Sequence, residues 1–85
     1  MKVIFRYDKT AGEVLAVFPE EVCRCGRCLC YAHIGQHFEV YYPEVIRTTK
    51  PATEGQYMDL LAELEAVGYE NLQICKKKVA KKFVD

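Results

Sequence analysis

The sequence predicts a small α+β domain: an antiparallel sheet of three to four strands, in the order β-β-β-α-β, with one helix packed on one face. Apolar residues recur at every second position in two runs near the N-terminus, and one later segment repeats apolar residues at helical spacing. A chain of 85 residues, 51% of them hydrophobic, can bury one modest core. We therefore expect a single domain over residues 1–85, with a lysine-rich C-terminal tail from about residue 76.

The first two strands are predicted to form an antiparallel hairpin. Apolar residues recur at every second position in residues 3–7 and 14–18, which is the periodicity of a strand with one apolar face. Residues 8–12 lie between these runs and supply turn residues and a glycine. Pro19 has no backbone N–H to donate to a ladder, so it is predicted to end the second strand. Residues 20–27 are then expected to form a loop.

A third strand is predicted over residues 29–34, where the side chains are mainly apolar and aromatic. Gly35 offers a break, and residues 38–42 resume an extended aromatic pattern that ends at Pro43. Residues 29–42 are thus predicted to form either one strand or a pair of strands.

The helix is the most regular element of the sequence. Thr53 is placed to cap it, and Gln56 lies three residues later, in capping-box position. Gly68 is placed to end it in a left-handed conformation. Asp59 and Glu63 are expected on the side facing away from the sheet. The apolar stripe consists of Tyr57, Leu60, Leu61, Leu64 and Val67.

A last short strand is predicted at residues 72–75, running into the tail. Residues 76–85 hold five of the 12 basic groups of the chain and one of its 12 acidic groups. Lysines without arginine are expected to give at most a weak, salt-sensitive and sequence-independent attraction to nucleic acid. We expect the tail beyond Lys78 to be dispensable for folding.

The sequence pattern predicts neither a membrane span nor a signal peptide. No apolar run approaches the ~18–20 residues needed to cross a bilayer, and the first eight residues return quickly to charge. The odd count of five cysteines does not suit a secreted disulfide scaffold. We therefore expect a cytoplasmic protein with no membrane partner.

Four of the five cysteines and both histidines lie within residues 23–37. As a metal site, the best set is Cys25, Cys28, His33 and His37. Two thiolates and two imidazoles match the ligand number and type of a closed tetrahedral zinc site, and the two residues between the cysteines let both sulfurs reach one ion. A zinc-stabilised module is therefore one interpretation of the chain.

Other interpretations of the cluster compete with zinc. If residues 29–34 form a strand, Cys28 and His33 project to opposite faces. The Cys25 to Cys28 spacing also matches a redox couple, but such motifs usually need a helix N-terminus after the first cysteine. The cysteines can instead be small buried apolar residues, and the histidines can cap or line the end of a strand. We expect this last interpretation to hold, with no cofactor, no stoichiometric metal and no catalytic residue.

Tyr31, Gln36 and His37 are the predicted partner-binding residues. They concentrate hydrogen-bonding side chains around Gly35, at a turn where a rigid sheet can present them outward. The expected partner is an unidentified protein.

Six segments of the chain carry a resemblance to a known group of proteins: residues 1–6, 14–20, 31–37, 49–52, 60–65 and 68–69. On these segments the chain resembles a group of short uncharacterised proteins of gut Bacteroides-type bacteria and their phages or mobile elements. The resemblance implies a cytoplasmic accessory protein of a mobile element, and it carries over no catalytic residue. Function is therefore expected to be non-enzymatic macromolecular interaction, with the zinc-stabilised module as the alternative.

Overall fold

The chain folds into a β-sheet with one helix on each face. The computed structural model describes residues 1–33 and 35–75. The predicted lysine-rich tail lies outside the described residues. Its dispensability for folding therefore stays a prediction. The elements are β1 (Lys2–Asp8), β2 (Glu13–Arg24), β3 (Arg27–Ala32), β4 (Gln36–Tyr41), α1 (Tyr42–Thr48), β5 (Lys50–Pro51), α2 (Glu54–Val67) and β6 (Gln73–Ile74).

The strand order is β4-β3-β2-β1-β5, with every neighbouring pair antiparallel. The short strand β6 pairs parallel with β1, beside the first residues of that strand. The α+β class is therefore confirmed. The finer architecture differs from the prediction, because the described residues form six strands rather than three or four and include a second helix, α1.

The β1–β2 hairpin forms as predicted. The Asp8 carboxylate accepts hydrogen bonds from the backbone N–H groups of Thr10 (3.0 Å) and Ala11 (3.3 Å). Gly12 has φ of 69° and donates its N–H to the Asp8 carbonyl at 2.7 Å. A side chain at this φ would be strained, so a glycine suits the position.

Strand β2 does not end at Pro19, contrary to the prediction. It continues to Arg24, and the predicted loop over residues 20–27 is instead the far end of this strand and its turn into β3. The register shifts between Phe18 and Val22 and again between Val22 and Arg24. Proline is tolerated in a sheet at such irregularities, because the bulged residues do not take part in the regular ladder.

Both faces of the sheet are buried, which explains the second helix. On the face covered by α1, called the α1 face, the buried residues of the sheet are Ile4, Leu15, Val17, Cys28, Cys30 and Ala32. The opposite face, called the α2 face, buries Val3, Phe5, Ala16, Phe18 and Tyr31 of the sheet. The prediction of one helix on one face was therefore incomplete.

Arg6 fixes the C-terminal end of α1 to the sheet. Its side chain is buried, with 6% of its surface exposed. Its guanidinium donates to Thr49 Oγ1 (2.9 Å) and to the backbone carbonyls of Ile46 (3.0 Å) and Thr49 (2.6 Å). The last carbonyls of a helix have no partner within it, and a cation there also opposes the negative end of the helix dipole. The Arg6 side chain therefore both pairs carbonyls at the end of α1 and places a positive charge at the negative end of its dipole.

Helix α2 has the predicted ends. Thr53 and Gln56 form the reciprocal capping box, with bonds of 3.3 and 2.9 Å. Gly68 ends the helix at a φ of 128°. Leu60 and Leu64 are buried against the sheet as predicted, whereas Val67 is exposed. The Tyr57 ring stacks on Phe5, with 4.4 Å between ring centroids.

Candidate interaction site

The turn between β3 and β4 is held to α2 by the carboxylate of Glu63. The Tyr31 hydroxyl donates to Glu63 Oε2 at 2.5 Å, and the backbone N–H of Gly35 donates to the same oxygen at 3.2 Å. His33 Nδ1 lies 2.6 Å from the other oxygen, Oε1. One carboxylate therefore joins the last residues of β3, the turn itself and the middle of α2.

These bonds stabilise the ionised carboxylate. Hydrogen bonds from Tyr31 first, then from His33 and from the Gly35 backbone, lower the pKa of Glu63 to about 2. The same contact with Glu63, together with burial, raises the pKa of Tyr31. Because an ionised carboxylate can only accept, His33 Nδ1 carries the hydrogen in this bond. The His33 ring is otherwise largely in solvent, with 76% of its side chain exposed.

A second contact holds the start of β4. His37 lies opposite Tyr31 in the β3–β4 register, and the two rings meet edge to face with 4.8 Å between centroids. His37 Nε2 hydrogen-bonds the Tyr69 hydroxyl at 2.9 Å. The Tyr69 ring in turn stacks on Phe18 of β2, at 5.1 Å. Residues just after α2 therefore position the first residues of β4.

The structure separates the three predicted partner-binding residues. Gln36 and His37 are exposed at the start of β4. Tyr31 is fully buried, so its ring positions the site and is not part of a contact surface. Two residues of the site, Glu63 and Tyr69, were missed. Glu63 was expected to face away from the sheet, but its carboxylate reaches Tyr31, His33 and Gly35 at the end of β3 and in the following turn.

The four residues of the zinc interpretation do not converge. Cys25 is exposed in the turn between β2 and β3, and Cys28 is buried on the α1 face. His33 and His37 contact Glu63 and Tyr69, which belong to the opposite side of the sheet. Within residues 1–33 and 35–75, no group of three or more histidine, cysteine, aspartate or glutamate side chains is placed to hold a metal ion. The zinc interpretation therefore stays a hypothesis whose four ligands are not brought together by the described residues.

The surroundings of Cys25 and Cys28 do not match those typical of a Cys-x-x-Cys redox couple. Burial raises the pKa of Cys28 and of Cys30 to about 12, and a thiolate, not a thiol, is the reactive form. The Cys25 to Cys28 segment contains a hairpin turn rather than the start of a helix, since Arg24 and Arg27 pair directly across it. These two buried cysteines pack as small apolar residues of the core.

Cys25 adopts an unfavourable backbone conformation for its type. Cys25 and Gly26 both have positive φ, 45° and 81°, and they form the two-residue connection between β2 and β3. This is the conformation of a type I′ turn, in which asparagine is the favoured first residue. The Cys25→Asn variant is therefore expected to be more stable by about 0.5–1 kcal/mol in chemical denaturation, because asparagine tolerates positive φ better than cysteine.

Cys25→Asn also tests the zinc interpretation, because that interpretation predicts a loss of stability rather than a gain. If Cys25 were a zinc ligand, its loss would destabilise the domain, and elemental analysis of the unmodified chain would give about one zinc per chain. The matched control is Cys25→Ala, which removes the thiol but keeps the strain. We expect little change in that variant, and no effect of EDTA on melting of the unmodified chain.

The three contacts of the Glu63 carboxylate, with Tyr31, His33 and Gly35, are called the Glu63 anchor. They predict a specific dependence of stability on pH. Because the pKa of Glu63 is lowered from 4.5 to about 2, its contribution to stability is fully present above pH 4.5 and is lost as the pH falls towards 2. Glu63→Gln should therefore lower the melting temperature at neutral pH. The difference from the unmodified chain should shrink on acidification through this window.

The neighbouring exposed residue Glu65 provides the control, as Glu65→Gln should change the melting temperature little at any pH. Thermal melting measured by circular dichroism, from neutral pH to about 2, gives the comparison. A deficit of Glu63→Gln that stays constant across that range would show that the anchor does not depend on the ionised carboxylate.

Comparison of the chain with family models, curated proteins and solved structures finds no significant match. Among the residues that the structure describes, no helix has the length and apolar character required to cross a membrane.

Proposed function

We propose that this chain is a non-enzymatic interaction domain that binds a protein partner by strand addition at β4. The observation that carries the proposal is that β4 is an edge strand. It pairs with β3 along its whole length, and no other described strand pairs with its outer edge. An extended segment of another protein can add to such an edge through backbone hydrogen bonds, while the alternating side chains give specificity.

The other exposed edges carry devices that discourage such pairing, whereas β4 does not. Strands β5 and β6 are each two residues long, and β5 consists of Lys50 and Pro51. The far half of β2 contains Pro19 and two register shifts. Natural sheets use proline, lysine, short strands and bulges to protect edges. Strand β4 has no proline, no lysine and no register shift, which favours an edge kept available for binding.

The side chains of β4 suit recognition of a partner. Phe38 and Tyr41 are exposed to 38% and 46%. Aromatic side chains of this kind contribute much of the binding energy at protein interfaces. The Glu63 anchor and the His37–Tyr69 hydrogen bond hold the start of the strand in place before binding, which reduces the entropy lost on association.

The biological setting rests on the resemblance given above. A cytoplasmic accessory role in a mobile element is proposed on that basis alone. The alternative, a zinc-stabilised module, is not favoured by the positions of its four proposed ligands. Weak, sequence-independent attraction of the tail to nucleic acid stays a prediction about residues outside the described ones.

Affinity capture with matched surface variants tests the proposed function. Phe38→Lys places a cation on the edge strand, and Met58→Lys places the same cation on the exposed side of α2. We expect the unmodified chain and Met58→Lys to capture the same protein from source cells, and Phe38→Lys to lose it. Gln36→Ala and His37→Ala should each reduce capture without a large loss of stability. Equal capture by the two lysine variants would contradict binding at β4.

A further inference from the structure

We propose that one partner of β4 is the β4 strand of a second copy of this chain, paired antiparallel about Phe38 to form a symmetric dimer. This inference rests on the proposed strand-binding function and names a partner for it. The register of the two strands decides which of their residues face each other, and the fold restricts the possible registers.

Symmetry first limits the register. A two-fold axis perpendicular to the sheet places the α1 faces of both copies on the same side. Residues that lie opposite each other must therefore project to the same face. Along β4, Gln36, Phe38 and Val40 lie opposite residues of the α1 face, and His37 lies opposite Tyr31 of the α2 face. The axis must therefore pass through a residue, not between two. Only centres at Phe38 or Glu39 let most of the strand overlap.

Charge then favours the centre at Phe38. A pair centred on Glu39 would set the Glu39 carboxylates of the two copies directly against each other, which is destabilising. A pair centred on Phe38 sets His37 of each copy opposite Glu39 of the other. The symmetric arrangement makes this complementary contact twice, and it places Gln36 opposite Val40.

The surroundings of these residues fit the same register. His37 Nε2 is bonded to Tyr69, so its Nδ1 is the nitrogen left for the carboxylate of the other copy. Glu39 lies 3.5 Å from the Arg27 side chain, on the same face as His37. Its carboxylate would then lie between a guanidinium of its own sheet and an imidazole of the second copy.

Phe38 continues the core of the α1 face towards the edge. It pairs with the buried Cys30, and Val40 packs against the same core, while the Phe38 ring keeps 38% of its surface exposed. In the proposed dimer the two Phe38 rings meet at the two-fold axis and shield each other from water. Edge pairing of one short strand buries a small area, so we expect a weak dimer whose population depends on concentration.

Sedimentation analysis of charge variants tests this proposal. The unmodified chain should show a concentration-dependent dimer. His37→Glu, which puts glutamate opposite glutamate, should raise the dimer dissociation constant at least about tenfold. Glu39→Lys, which puts lysine opposite histidine, should also weaken self-association. An equimolar mixture of the two variants should recover the dimer, because both cross-strand pairs are then complementary.

Three results would overturn the proposal. The first is a chain that stays monomeric up to about 1 mM. The second is a dimer unaffected by His37→Glu, since the register centred on Glu39 places His37 opposite Tyr41. The third is failure of the mixture to recover association while circular dichroism shows both variants folded. None of these results bears on capture of another protein, which Phe38→Lys tests separately, so failure of the dimer and failure of the proposed function are distinguishable.

Discussion

Replacement of Arg6 by alanine is expected to lower the free energy of unfolding by about 3–4 kcal/mol. The substitution leaves the carbonyls of Ile46 and Thr49 without their guanidinium donor, and it opens a space between β1 and α1. Buried acceptors that lose their partner bear the full cost of lost hydration. Urea denaturation followed by circular dichroism measures the change.

Two variants sharpen the interpretation of this result. Arg6→Lys should recover little of the loss, because one ammonium nitrogen cannot replace both Nε, which donates to Thr49 Oγ1, and Nη2, which donates to the two carbonyls. Arg47→Ala removes an exposed cation from the last turn of α1 and should change stability by less than about 0.5 kcal/mol. If Arg6→Ala were as mild as Arg47→Ala, the guanidinium would not be what fixes α1 to the sheet.

Leu64→Ala should destabilise the domain by about 2–5 kcal/mol. Leu64 is fully buried between α2 and the sheet, in the cluster that includes Phe18 and Tyr31. Its truncation removes apolar contacts and leaves a cavity that the rigid sheet cannot fill. A domain of this size has a total stability on the order of 5–10 kcal/mol, so the variant should be close to unfolding at ambient temperature.

Met58→Ala is the matched control on the same helix. Met58 is 56% exposed, so its truncation should cost less than about 0.5 kcal/mol. Leu64→Ala should also reduce binding at β4, because the helix that carries Glu63 would no longer hold the turn. Similar denaturation midpoints for the two variants would show that α2 does not depend on this contact.

The sequence predicted correctly those elements that depend on turn or capping residues only a few positions apart. The turn at Asp8 to Gly12, the capping box of Thr53 and Gln56, and the end of α2 at Gly68 all depend on such signals. The second helix was missed because α1 has only seven residues and too short a periodic pattern. Pro43 at its start, followed by Glu44, was a usable helix signal that the aromatic residues before it obscured.

The apolar character of both faces was a further signal. Residues 14–18 are apolar at every position, which is typical of a strand buried on both faces rather than one. Strand alternation did predict that Cys28 and His33 lie on opposite sides. The partner of His33 could not be predicted, because Glu63 is distant in sequence and only tertiary packing brings it to the turn.

Amide hydrogen exchange of β4 tests the central claim, which is that the outer edge of this strand is a binding edge. In an edge strand, alternate N–H groups point outward and exchange rapidly, and an added strand protects them. We expect the outward-pointing amides within Gln36–Tyr41 to gain protection when the captured protein is added, or when the chain is concentrated. Amides of α2 should be unchanged. Equal exchange of the β4 amides in the unbound and bound states would contradict binding at the outer edge of β4.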